Sequence, residues 1–378
     1  MTSRLYPSTR RLFGQVARVL KTLGLGAMLS PIAFSLMAVY ITGLLLLDRR
    51  QNGTRIANWL PARAHDALNR LLRTHEVSTR ALMKAIIGWA KGLGAGFLSV
   101  DDVVVAKPSS VLSAWVGWTY STSEKRVVRG FHVVVLLWCR GCWRIPVAFR
   151  LWRPKSNCQS KKYRKKTQLA WEMIVEVYQE GLDIEYVVGD TLYSAGWMTK
   201  KINRLGLKWV GVLHPRTTVY YRERRWRVAS LGEWLKLKWR ARLQLQARSI
   251  VAYLPKYGTV RLVVTRNRHG NTEVLATNDL DSDLATIVLR KRSRWSIETL
   301  FRDAKQFSGL AACQCRVDQA LVRHVAFVLI GFIILQRLRL HSKETLGEVK
   351  DRLQREVITG GLPAPAPLRG KTAVAQLL

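Results

Sequence analysis

The sequence predicts an α/β fold: a mixed sheet flanked by helices, with an N-terminal helical domain and a β-rich insertion. The residues up to about 92 carry helical periodicity. From Phe97 the pattern changes to three strands, then helix, strand, helix, strand. Residues 217–283 are rich in Val, Tyr, Trp and Arg, read mostly as strands, and interrupt that layout before the chain returns to helices.

Within the helical part, residues 68–73 and 82–89 carry apolar stripes with basic outer faces. Residues 25–47 are nearly free of charge and long enough to span a bilayer. Gly24, Gly26, Pro31 and Gly43 break the run and suit two short buried helices, with a membrane anchor as the competing reading. A glycine-rich break at 91–96 leads into strand one, residues 97–105. Residues 129–137 and 144–152 read as the paired second and third strands. Residues 167–180 form a helix whose stripe is Leu169, Met173, Ile174 and Val177. A strand at 184–190, a short helix at 197–205 and a strand at 207–213 follow. Residues 326–335 are too short to span and read as a core helix. Beyond about 345 come a helix and a frayed Pro/Gly/Ala tail. The expected domains are 1–95, helical and DNA-binding; 96–345, the catalytic core interrupted by 217–283; and 346–378, a C-terminal helix with a flexible tail.

A formal charge of +37 over 378 residues argues for a polyanionic partner, nucleic acid before an acidic membrane surface. The basic residues cluster, as in 153–166, which holds Lys161, Lys162, Arg164 and Lys165. Interleaved tryptophans, Trp226, Trp234 and Trp239 among them, could stack on unpaired bases. The first residues are polar with no secretory signal, no glycine-rich nucleotide loop is present, and a cytoplasmic, nucleoid-associated protein without a membrane partner is expected. Five cysteines suggest no disulfide framework. Cys139 with Cys142 and Cys313 with Cys315 could supply four thiolates to zinc. The favoured reading is that Cys139 and Cys142 merely flank a hairpin turn at Arg140-Gly141. His132 and His324 sit in apolar runs and read as satisfied histidines.

Residues 294–305 carry the chemistry. Ile297, Leu300, Phe301, Ala304 and Phe307 recur at helical spacing, leaving Arg294, Glu298, Arg302 and Lys305 on the opposite face. Two apolar strands run into aspartates: Asp101-Asp102 in the first and Asp190 at the end of the fourth. A carboxylate in such a place is costly unless paired or bound to metal. Neighbours on a strand point to opposite faces, so only one of Asp101 and Asp102 can face the site. Carboxylates on separate core elements can converge on divalent metals, and oxygen ligands suit Mg²⁺ or Mn²⁺.

These motifs resemble those of DDE transposases of bacterial insertion sequences, in the ribonuclease H-like and retroviral-integrase superfamily. Arg294, Glu298 and Lys305 match the spacing of the Tyr-Arg-Glu-Lys signature, and Lys291 stands at its tyrosine position. The match implies a ribonuclease H-like core with Asp102, Asp190 and Glu298 as catalytic metal ligands. Two Mg²⁺ ions, replaceable by Mn²⁺, would support phosphoryl transfer. Lys291, Arg294, Arg302 and Lys305 would meet phosphates, joined by the 161–165 cluster and by Trp226 as a candidate base-stacking residue. The implied partners are double-stranded DNA with terminal inverted repeats, target DNA, and a second copy of the chain when DNA-bound. The alternative is a catalytically inactive or repurposed DNA-binding descendant.

Overall fold

The structure is a computed structural model that describes residues 7–48, 51–60, 65–108, 110, 113–122, 124–159 and 162–360. Its N-terminal part is helical as expected: α1 (Pro7–Thr22), α2 (Pro31–Leu46), α3 (Gly53–Trp59), α4 (His65–Arg73) and α5 (Thr79–Lys91). The two short buried helices expected over residues 25–47 are unequal in the structure. A short 3-10 turn precedes a single 16-residue helix, α2, capped by Ser30 with Pro31 at its first position. Gly43 does not break α2. A Cβ there would lie 2.5 Å from Ile56 Cγ2, so the glycine lets α3 approach closely.

The sheet begins with β1 (Gly96–Ala106), β2 (Gly117–Ser121), β3 (Arg126–Arg140) and β4 (Trp143–Trp152). Next come α6 (Lys166–Gln179), β5 (Ile184–Gly189), α7 (Gly196–Arg204) and β6 (Lys208–Val212). β2, absent from the sequence reading, pairs with β3 and is partly exposed. The strand order β4-β3-β1-β5-β6 has antiparallel pairs up to β1 and parallel pairs from β1 to β6. The stripe predicted for α6 is its buried face.

Residues 217–283 contribute β7 (Thr218–Tyr221), β8 (Arg224–Arg227), β9 (Lys238–Arg240), β10 (Leu245–Leu254), β11 (Gly258–Arg266) and β12 (Thr272–Thr277). The helix α8 (Val228–Trp234) interrupts them. β12 pairs antiparallel with β6, so all of these strands continue one 12-stranded sheet. Among the described residues, four α-helices follow: α9 (Leu284–Ser293), α10 (Trp295–Phe307), α11 (Asp318–Arg337) and α12 (Leu346–Ile358). The tail called frayed lies, beyond residue 360, outside the described residues.

One hydrophobic cluster runs from Leu12 in α1 to Leu353 in α12 and joins the N-terminal helices to the sheet. α11 is longer than the expected 326–335. It is long and apolar enough to cross a membrane, but 83% of its most apolar window is buried within the protein, packed on α2, α4 and β4.

Candidate active site

Strand alternation decides what β1 offers. Ser99 and Val100 lie opposite Val188 and Gly189 of parallel β5, and the next step of that register sets Asp101 beside Asp190. Phe97, two residues before Ser99, stacks on Tyr186 at 5.0 Å. Tyr186 and Val188 pack under α9. Phe97, Ser99 and Asp101 therefore share the sheet face covered by α9 and α10, and Asp102 points to the other.

On the α10 face, Asp101 Oδ2 accepts from Arg294 at 2.9 Å, and the same guanidinium pairs with Glu298. Burial, then the charge of Asp190, push the Asp101 carboxyl up to about 7 despite the Asp102 backbone N–H and Arg294. Asp190 is held by its own turn: Oδ1 accepts the N–H groups of Leu192 at 2.9 Å and Tyr193 at 3.0 Å. That turn lies flat on the sheet because Gly211 has no side chain; a Cβ there would meet Ser194 Oγ at 2.1 Å.

On the other face, Asp102 Oδ2 accepts from His132 Nδ1 at 2.9 Å and from Lys166 at 2.6 Å, and Oδ1 accepts from Tyr193 at 2.8 Å. Burial alone would raise this carboxyl; His132 and Lys166 outweigh it and hold it down to about 2. The carboxylate can only accept, so His132 carries its proton on Nδ1, and Thr119 Oγ1 meets Nε2 at 2.7 Å. Tyr193 is raised by burial and then by Asp102. Of the expected trio of Asp102, Asp190 and Glu298, Asp102 faces the side of the sheet away from α10, while Arg294 joins its neighbour Asp101 to Glu298, with Asp190 next in the β5 register.

The helix expected over 294–305 is α10, with Arg294 at its N-terminal cap. α9 ends at Ser293 and α10 begins at Trp295, so Arg294 sits at the junction and Lys291 belongs to the preceding helix. Lys291 pairs with Glu273 of β12 at 2.5 Å, turned toward the insertion. In α10, Ile297, Leu300, Phe301 and Ala304 are buried as predicted, with Asp303 beside them. Arg302 is exposed and donates to Asp303 at 3.0 Å. Burial lowers the half-buried Lys305.

Lys162, Arg164 and Lys165 are exposed, with Arg164 3.4 Å from Glu172. Lys161 lies outside the described residues. Trp226 is half-buried and packs on Trp234 at 4.9 Å, so Trp234 and Trp239 present more ring to solvent. Trp295, at the first turn of α10, is 64% exposed. A cavity of about 1190 Å³ runs from Asp190 to the insertion past Trp197, Lys200, Arg216, Arg225 and Lys256.

The turn of the β3–β4 hairpin is Gly141-Cys142, one residue later than expected, with Gly141 at φ 54°. Cys139 is buried, and burial pushes its thiol up to about 12. Cys313 and Cys315 instead gather with His324, 9 residues further along the chain than Cys315. Sequence spacing gave no signal for that grouping.

A family model described as DDE superfamily endonuclease matches residues 32–243, more than half of the chain. The chain belongs to the DDE superfamily of endonucleases. The match spans α2 to β9 and includes Asp101, Asp102 and Asp190, while Glu298 lies beyond it. Membership of this DDE endonuclease family points to a metal-dependent nuclease. No curated protein matches the chain. The donor set suits such a metal: Asp101, Asp190 and Glu298 offer only hard oxygens, and a cation would offset both the burial and the Asp190 charge that raise the Asp101 carboxyl.

Proposed function

We propose that the chain is a transposase that cuts DNA at the ends of a mobile element and joins them to target DNA. The observation that carries this reading is the Asp101–Arg294–Glu298 bridge, with Asp190 in register beside Asp101. The strand order β4-β3-β1-β5-β6 supports a ribonuclease H-like core. Asp101, Asp190 and Glu298 would hold divalent metal, Mg²⁺ or Mn²⁺. When bound, a metal pair supplies activation of the attacking oxygen and stabilisation of the leaving one.

The chain's own residues position the substrate. Arg294 would move from the carboxylates to a phosphate once metal neutralises them. The cavity between Asp190 and the insertion, lined by Lys200, Arg216, Arg225 and Lys256, would hold a DNA strand, with Trp197 or Trp295 against a base. Asp102 orients Tyr193, His132 and Lys166 behind the site. Terminal inverted repeats and a DNA-bound dimer complete the proposal, because joining two ends requires both to be held together.

The hold of Arg294 on Asp101 and Glu298 also favours a second reading, a DNA-binding descendant that no longer cuts. The experiment places the coding region with its flanking DNA on a plasmid that cannot replicate in the host, and insertions are sequenced. Insertions by the wild type, lost in Asp101→Asn, Asp190→Asn and Glu298→Gln, support the transposase. DNA binding by purified protein without Mg²⁺-dependent cleavage supports the descendant. Equal insertion by Glu298→Gln rejects the assigned site.

A further inference from the structure

We infer that Cys313, Cys315 and His324 form a second metal site, of the zinc class, that pins the chain leaving the glutamate-bearing helix α10 to α11. The two sulfurs and an imidazole nitrogen lie within 4.8 Å of one another. Tetrahedral zinc, with bonds of about 2.3 Å to sulfur and about 2.0 Å to nitrogen, needs ligand atoms roughly 3.5–3.8 Å apart. Only a small contraction separates the grouping from that geometry. Two soft sulfurs and an imidazole exclude the hard cation expected at Asp101 and Glu298 and select zinc or a similar borderline metal.

The surroundings are those of a prepared ligand set. His324 is fully buried, and its Nε2 lies 3.2 Å from the Gly309 carbonyl, which can only accept. Nε2 therefore carries the proton and Nδ1 keeps its lone pair, the arrangement in which a metal-bound histidine is held by a carbonyl on its far nitrogen. Nδ1 meets the Tyr40 hydroxyl at 2.8 Å, a bond that metal would replace. Lys107 Nζ donates to the Cys313 carbonyl at 2.8 Å and lies 4.0 Å from its sulfur, which places a positive charge beside the cluster. Cys315 and Tyr40 line a cavity of about 450 Å³ with Asn52, Asn69 and Arg73. This cavity is the path for the ion and for solvent as fourth ligand.

The placement gives the site a role. Cys313 directly follows the short turn after α10, Lys107 follows the last residue of β1, His324 sits in α11, and Tyr40 comes from α2. A metal bonded here would tie the turn that follows α10 to α11.

The full-length protein, purified under reducing conditions and stripped with a chelator, is titrated with Co²⁺ and then Zn²⁺. A sulfur-to-cobalt charge-transfer band that saturates at about one ion per chain and is bleached by Zn²⁺ is the expected result. Asp101→Asn leaves the band unchanged, since carboxylates give none. Cys315→Ser weakens Zn²⁺ binding by about tenfold or more with the far-ultraviolet circular dichroism retained. Should that variant fail to fold, the wild type still decides: Zn²⁺ should slow alkylation of Cys313 and Cys315 while exposed Cys142 stays reactive. No sulfur-to-cobalt band in folded, reduced protein, or an equal band in Cys315→Ser, overturns the proposal. So does a Cys313–Cys315 disulfide in protein taken from a reducing cytoplasm, which would make the cluster a redox pair.

Discussion

Asp101 and Asp102 are neighbours on one strand and nearly equally shielded, yet their carboxyls diverge. Burial and Asp190 push Asp101 up to about 7, while His132 and Lys166 hold Asp102 down to about 2. Asp101 is short of positive charge and Asp102 is saturated with it. On the proposed function, the carboxylate awaiting a cation is Asp101, the one its own protein leaves under-neutralised. Asp102, already wrapped by His132, Lys166 and Tyr193, would then be a brace.

The sharpest way to break the comparison is to remove each charge in turn. Asp101→Asn should lower Mg²⁺-dependent DNA cleavage on the order of a thousandfold, read by single-turnover assay on end-containing duplex. Comparable cleavage by Asp101→Asn would return the ligand role to Asp102. On stability the order reverses. Asp102→Asn strands half-buried Lys166 and buried His132 and should cost about 3 kcal/mol in urea unfolding, whereas Asp101→Asn should cost little or stabilise the metal-free chain.

The two carboxyls also predict opposite pH responses. The folded value of Asp102 lies below its ordinary 3.8, so its contribution of about 2 kcal/mol is present above pH 4 and is lost as pH falls through about 2. The folded value of Asp101 lies above 3.8, so its contribution is full below that pH and is lost as pH rises through about 7. Unfolding in chelator between pH 4 and 8 should show wild-type stability falling with pH relative to Asp101→Asn. Parallel curves would count against the reading. The smallest effect belongs to Tyr193→Phe, which removes one hydrogen bond to Asp102 and should cost about 1 kcal/mol by thermal unfolding.

Much of this was legible in the chain. The apolar stripe of α10, the strands ending at Asp190 and the helix α6 follow from periodicity, because each buries one continuous face. The choice between Asp101 and Asp102 was not, since alternation says that they differ but not which face α10 will cover. The break at Arg294 carries no proline or glycine to announce it. Gly43 reads as a helix breaker until Ile56, remote in pattern, fills the space above it. Cys313, Cys315 and His324 meet only once α11 folds back along the turn that follows α10.

The pairing of β12 with β6 has a mechanical consequence. Val210, Gly211 and Val212 bond to Thr277, Ala276 and Leu275 on one edge, and on the other Val210 and Gly211 reach Val188 and Gly189, one residue before Asp190. The insertion is therefore a continuation of the sheet that carries Asp101 rather than a separate lobe. In a DNA-bound complex, any contact along that continuation would stand at a fixed distance from Asp190. The continuation would serve as a ruler, setting how far from a gripped base the backbone is cut.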